Sequence, residues 1–232
     1  MTVKSKTETE VLLERLAHLS VSGLADQFDK LGIVPPVLAR ELKPIGAPVK
    51  FSGPAFCVSG CRHEDAGWKA TPGPRDSLYD SLDEKVPPGA VLVFDTGGYD
   101  DTAVFGGGTA LALKQRGCAG AVIDGAVRDV EELVSTGLPT RARMVSAVRF
   151  MGRFSIRDIA CAVEVRGLAG PVAVIPGDFV LADHDGVIVL PVTAADQIIG
   201  RAEEAARIEA LVKADVLRGV PRLEASRRHG KG

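Results

Sequence analysis

The chain has 232 residues, 46% of them hydrophobic and 25% charged, with a formal net charge of −2. That length and composition suit a globular protein with one sizeable core. The near-balanced charge and an aromatic share of 5% argue against nucleic acid or an anionic membrane as a partner.

The opening segment, Met1 to Glu10, is polar and lacks the apolar centre of a signal peptide. No apolar run reaches the ~20 residues of a membrane span. A cytoplasmic location is the default expectation, with one domain over 1–232 and frayed tails at 1–8 and 222–232. Glu8 to Leu19 carries apolar residues at helical spacing. Ser22 suits the N-cap of a second helix, Leu24 to Leu31, stopped by Gly32. After Pro35-Pro36, Gly53 to Ser59 reads as a strand. His63 to Pro74 reads as a loop containing Trp68, and Ser77 to Lys85 as a short helix.

Pro87-Pro88-Gly89 turns into the apolar strand Ala90 to Phe94, followed by a loop from Thr96 to Asp101. A helix is predicted from Thr109 to Arg116, a buried strand from Ala119 to Ile123, and a helix from Val130 to Thr136. Val172 to Ile175 and Val180 to Ala182 read as strands. Asp183-His-Asp-Gly186 then makes a hairpin turn into the strand Val187 to Leu190. Ala194 to Leu217 forms one long charged helix, amphipathic enough to dock on a neighbour. Strands alternate with helices in the middle of the chain, so a layered α/β fold with a mixed sheet is expected.

Cys57, Cys61, Cys118 and Cys161 come without a secretory signal and do not read as a disulfide framework; in their apolar strand, Cys57 and Cys61 read as small buried hydrophobes. Cys57, Cys61 and His63 are spaced loosely like half a metal site, with no second pair to complete it. Asp183, His184 and Asp185 contain metal-ligating types, but turn chemistry explains them more simply.

The most informative stretch is Asp124-Gly-Ala-Val-Arg-Asp129, read as a buried strand running into a sharp glycine turn. Arg128 offers a planar fork of donors that fits a carboxylate. Asp129 offers a hard oxygen ligand that fits Mg²⁺. Upstream, Gly106-Gly-Gly108 opens a helix whose first amides could hold an anion. Each feature has a plainer reading. Arg128 and Asp129 could be a surface ion pair at a helix start, and the glycines could serve tight subunit packing.

Taken in order, Pro88-Gly89, Phe105-Gly106, Gly117, Asp124 to Asp129, Pro176-Gly-Asp178 and Ala182 to Val189 resemble the 4-hydroxy-4-methyl-2-oxoglutarate / 4-carboxy-4-hydroxy-2-oxoadipate aldolase family. That family is homologous to the regulator of ribonuclease activity A. The resemblance runs from Ser20 to Leu211. It implies an α/β fold with a swivelling-type ββα core, a mixed sheet and flanking N- and C-terminal helices. It also implies a homotrimer or dimer of trimers with sites between subunits. By the same resemblance, Arg128 binds the pyruvate carboxylate and Asp129 holds Mg²⁺, with Mn²⁺ as a substitute. The backbone at Gly107, Gly108 and Thr109 binds pyruvate, and Glu209 reaches in from a neighbour's C-terminal helix.

One departure matters. The aldolases carry an Asp twenty-one positions before the Arg-Asp pair, and that position is Gly107 here. Asp100 and Asp101 are candidates to replace it. A position where aldolases often carry His falls near Asp80. The expected function is a divalent-metal-dependent carbon–carbon lyase on small 2-oxo acids giving pyruvate. Its reaction would be oxaloacetate decarboxylation, aldol cleavage of 4-hydroxy-2-oxo acids, or both. Decarboxylation should be favoured, because it removes no hydroxyl proton, and Gly107→Asp should raise aldol cleavage. The alternative is a non-catalytic regulatory or binding protein like the ribonuclease regulator branch.

Overall fold

The computed structural model describes residues 7–47, 50–63 and 77–230; Trp68 and most of its predicted loop lie outside them. Thr7 opens α1 (Glu8–Ala17) with a closed capping box shared with Glu10. Ser20, not Ser22, caps α2 (Val21–Lys30), its hydroxyl accepting from the Gly23 N–H at 3.0 Å. The helix starts earlier than its apolar spacing suggests because the far chain fixes it. The Val21 N–H donates to Asp183 Oδ2 at 2.8 Å.

The strands are β1 (Lys43–Pro44), β2 (Phe51–Arg62), β3 (Val91–Asp95), β4 (Ala103–Phe105), β5 (Gly120–Val127), β6 (Thr140–Val145), β7 (Phe154–Ile159), β8 (Val163–Gly167), β9 (Gly170–Val174), β10 (Phe179–Ala182) and β11 (Val187–Leu190). Between and after them come α3 (Ser77–Asp80), α4 (Leu82–Lys85), α5 (Gly107–Gln115), α6 (Val130–Ser135), α7 (Ala195–Leu217) and α8 (Arg222–Arg228). The main sheet runs β1-β6-β5-β3-β2-β10-β11, with β4 also on β5 and β7 also on β2. Its centre, β2-β3-β5-β6, is parallel, and β4 joins β5 in parallel. The flanking β1, β7, β10 and β11 are antiparallel. This is the expected mixed α/β fold with helices at both ends of the chain.

Side-chain alternation divides the core. Phe56, Val58, Leu92, Phe94, Ala121 and Ile123 face one way, onto a layer that includes Ala110 and Leu113 of α5 and Leu133 of α6. Cys57, Val91, Val93 and Val122 face the other way, onto Val163, Val165 and Val174 of the β8–β9 hairpin. Strands covered on both faces read as continuous apolar runs, as these do. Farther along, Phe179, Leu181, Ile188 and Leu190 receive α1, α2 and α7. No helix of the described residues is long and apolar enough to cross a membrane.

Two local expectations are corrected. Asp124-Gly125 is not a turn: β5 continues to Val127, with a register shift against β6 between Ile123 and Ala126. Gly125 is needed because a Cβ there would stand 2.6 Å from Thr96 Cγ2. The tail expected to fray is ordered over its described residues, 222–230. It forms α8, with Ala225 buried and His229 Nε2 3.0 Å from Asp215 Oδ2.

Candidate functional site

Two parallel strand ends build the site. Ala103 and Phe105 of β4 pair with Ala126 and Val127 of β5, so both strands finish side by side. The Arg128 N–H donates to the Phe105 carbonyl at 2.9 Å, extending that pairing by one residue. From β4 the chain enters α5 through Gly106, an extended N-cap. From β5 it passes Arg128 and enters α6 through Asp129. The carboxyl ends of parallel strands are where open α/β sheets place ligands.

Asp129 makes the sharp turn itself, in the left-handed region at φ 54°, ψ 48°. A non-glycine residue adopts this conformation infrequently, and Asp is among those that tolerate it best. Its carbonyl accepts from the Leu133 N–H, but its side chain caps nothing in α6. The carboxylate turns instead to Arg128, with Oδ2 3.2 Å from Nε, and both side chains are about two-fifths exposed. The contact uses Nε rather than the paired Nη atoms, the end of the fork that suits a substrate carboxylate.

The two strand ends meet closely at a glycine. A Cβ on Gly106 would lie 2.9 Å from Asp129 Oδ2 and 3.2 Å from Arg128 Cγ. The helix begins earlier than predicted, at Gly107 rather than Thr109. Gly107, Gly108 and Thr109 therefore form its first turn, whose N–H groups have no acceptor within the helix and lie at the positive end of its dipole. Tyr79 of α3 joins this turn, its hydroxyl 2.9 Å from Thr109 Oγ1.

Beside this, on the hairpin-facing side of the sheet, Asp124 is buried and pairs with two arginines. Its Oδ1 lies 3.6 Å from Arg143 Nε and 3.4 Å from Arg166 Nε, and the Arg166 N–H donates to Oδ2 at 3.3 Å. Arg143 Nη2 donates to Asp100 Oδ2 at 2.7 Å. Burial pushes the Asp124 carboxyl above its ordinary value, opposed by Arg166, and burial likewise raises Asp95. Asp100 is thus engaged by Arg143, and Asp101 lies 3.5 Å from Arg62. The two carboxylates expected to replace the missing acid are both held in ion pairs.

Several sequence candidates are accounted for. Asp183 is structural: besides Val21 it accepts from the Asp185 N–H at 2.9 Å and closes the β10–β11 turn. Cys57 is a buried thiol pushed up to about 12 by burial, and all four cysteines are free. His63 Nε2 sits 2.6 Å from Ser155 Oγ. Glu209 lies on α7, half-buried, in the helical layer that packs on β10 and β11; Arg128 and Asp129 lie at the strand ends under α5 and α6. The sequence reading passed over Tyr79 and Glu132. Glu132 carried a signal, since it lies one helical turn beyond Asp129. Tyr79 carried none.

Fold and site together define an α/β protein with a basic-acidic pair and a glycine-rich helix start at adjacent strand ends. The family model described as RraA-like, Aldolase/RraA, matches residues 21–189, and the chain belongs to this family. It is 33% identical over 165 residues to a putative 4-hydroxy-4-methyl-2-oxoglutarate aldolase of Albidiferax ferrireducens, covering 68% of this chain and 83% of that one. It is 27% identical over 192 residues to Protein DlpA of Legionella pneumophila, covering 82% of this chain and 29% of DlpA. It is 39% identical over 110 residues to a 4-hydroxy-4-methyl-2-oxoglutarate aldolase of Thermus thermophilus, covering 47% of this chain and 63% of that one. The matches thus span less than two thirds of the DlpA and Thermus proteins. The fold superposes with a TM-score of 0.73 on Streptomyces coelicolor RraAS2, described as an unusual member of the RNase ES inhibitor RraA protein family. That match is 25% identical and covers 91% and 99% of the two chains.

Proposed function

We propose that this chain is a carbon–carbon lyase that releases pyruvate from small 2-oxo acids, with Mg²⁺ or Mn²⁺ at Asp129. One observation carries the reading: the ion-paired Arg128 and Asp129 lie directly against Gly106, the residue that opens α5. The residues fit such a cation. Asp129 presents a hard-oxygen donor that is about two-fifths exposed and makes no cap bond in α6. Mg²⁺ suits that setting, since it keeps several waters and takes one or two carboxylates plus substrate oxygens. When bound, the cation would supply Lewis-acid polarisation of the 2-keto oxygen.

The chain's own groups do the rest. Arg128 binds the carboxylate of the pyruvyl half through its Nη atoms. The amides of Gly108 and Thr109, with Gly107 before them, add donors where negative charge grows on the departing enolate. Tyr79 steadies Thr109. The relatives' names point to 4-hydroxy-4-methyl-2-oxoglutarate as the aldol substrate. Oxaloacetate offers the same pyruvyl end. Glu209, on the outer helix α7, would act across a trimer interface rather than within one chain.

The likeness to RraAS2 and the missing carboxylate at Gly107 favour a second reading, a regulatory binding protein. A coupled assay of pyruvate release separates the two. The lyase reading expects turnover of at least one of these substrates, lost in chelator and restored by Mg²⁺ or Mn²⁺. No release from either substrate would favour the regulator.

A further inference from the structure

Gly107 is not at positive φ, so its lack of a side chain answers to space. A Cβ there would lie 2.4 Å from Glu132 Cδ, 2.5 Å from Cγ and 2.5 Å from Oε2. The carboxyl group of Glu132 therefore fills the volume into which a residue-107 side chain would grow, and a side chain there requires Glu132 to move. Glu132 stands three residues after Asp129, on the same face of α6. A Glu at this third helical position ordinarily belongs to a capping box. Here no box closes, because the N-cap residue Asp129 is left-handed and its side chain makes no cap bond. Instead, Glu132 lies against the first turn of α5, beside the amides assigned to the substrate.

Resting on the lyase reading, the geometry points to Glu132 as the acid–base carboxylate of aldol cleavage, delivered from α6 in place of a side chain at Gly107. It takes the proton from the substrate's 4-hydroxyl as the C3–C4 bond breaks. C4 becomes the carbonyl of the departing 2-oxo acid, and the C3–C4 electron pair becomes the enolate of pyruvate. The proton held on Glu132 then goes to C3 and completes the methyl group. Atoms and charge balance with no further reactant. The expectation that Gly107→Asp raises aldol cleavage is therefore reversed: alone, the new side chain collides with Glu132.

The test compares Glu132→Gln, Glu132→Ala, Gly107→Asp and the double variant Gly107→Asp/Glu132→Ala. Three readouts are needed: aldol cleavage, oxaloacetate decarboxylation, and exchange of pyruvate methyl protons in D₂O followed by NMR. A positioned acid–base group contributes on the order of 10²–10⁴-fold. Glu132→Gln should lower aldol kcat and methyl exchange by that order, and by at least tenfold more than decarboxylation. Gly107→Asp alone should also lose aldol activity, and the double variant should recover part of it. An active wild type whose Glu132→Gln variant keeps its aldol rate, or loses both reactions equally, overturns the assignment alone. A wild type that neither releases pyruvate nor exchanges its methyl protons overturns the lyase reading with it.

Discussion

Gly106→Ala perturbs the site with the least disturbance elsewhere. Gly106 is extended, at φ −152° and ψ −176°, a conformation open to any residue, so alanine meets no backbone strain. Its methyl group would lie 2.9 Å from Asp129 Oδ2, and ordinary contact begins roughly 0.5 Å farther out. Asp129 Oδ2 is the end of a half-exposed side chain and can move, so the fold gives way there. Gly→Ala at a compatible position stabilises by about 0.4–1 kcal/mol through the unfolded chain. That offsets the displaced contact, and Tm should shift by no more than about 4 °C. Activity should respond much more, because a misplacement of about 1 Å costs about 10²-fold. A shift of half that size predicts about tenfold loss of kcat/KM. Thermal melts and the coupled pyruvate assay on the same preparation measure both. Full activity with an unchanged melt would show that Asp129 Oδ2 need not hold its place, and would refute the reasoning.

Three further predictions follow from other contacts. Arg128→Lys should raise KM for the 2-oxo acid at least tenfold, because a point charge cannot replace a bidentate fork; steady-state kinetics with an unchanged KM would exclude Arg128 from the substrate carboxylate. Gly120→Ala should destabilise by about 2 kcal/mol through overpacking, since its methyl would lie 2.4 Å from Phe51 Cδ2; chemical denaturation measures this. Hydrogen bonds from His229 and Arg218 hold the Asp215 carboxyl below its ordinary value of 3.8. Its contribution to docking α8 is therefore full above that value and lost as pH falls through the lower, folded-state value. Hydrogen exchange in α8 should speed up in acid before exchange in the central strands does, and Asp215→Asn should show the faster exchange already at neutral pH.

The parts of the fold legible in the sequence are those set by local pattern. Ala90 to Phe94 is apolar at every position because both faces of β3 are covered, and the Asp183 to Gly186 turn is marked by its own residues. Helix starts were misplaced where distant groups fix them, as Asp183 fixes Val21. The strands β6, β7 and β8 escaped a pattern reading because they carry Arg141, Arg143, Arg157, Asp158, Glu164 and Arg166. Arg141 is nevertheless buried, with Nη1 donating to the Leu42 carbonyl at 3.1 Å, a partner no strand rule anticipates. Arg128, Asp129 and Gly106 to Thr109 were legible from short motifs, a strand running into Arg-Asp and three glycines opening a helix, whereas the short β4 before Gly106 was not. Glu132 was legible only in its spacing from Asp129, since where its carboxyl lies depends on how α6 packs against α5. Gly107 read as a missing acid, and only the packing of α6 on α5 shows that the Glu132 side chain lies where its own would be.

The central claim is that Asp129 and Arg128 hold the pyruvyl end of a 2-oxo acid together with a divalent cation. Calorimetric titration of oxalate, a planar mimic of the pyruvate enolate, into wild type and Asp129→Asn tests it most directly. Asn also tolerates the left-handed conformation, so the variant should melt like wild type. Wild type is predicted to bind oxalate only with Mg²⁺ or Mn²⁺ present, and Asp129→Asn to show no metal-dependent binding. Equal binding by both proteins, or binding by wild type that ignores the metal, would contradict the account.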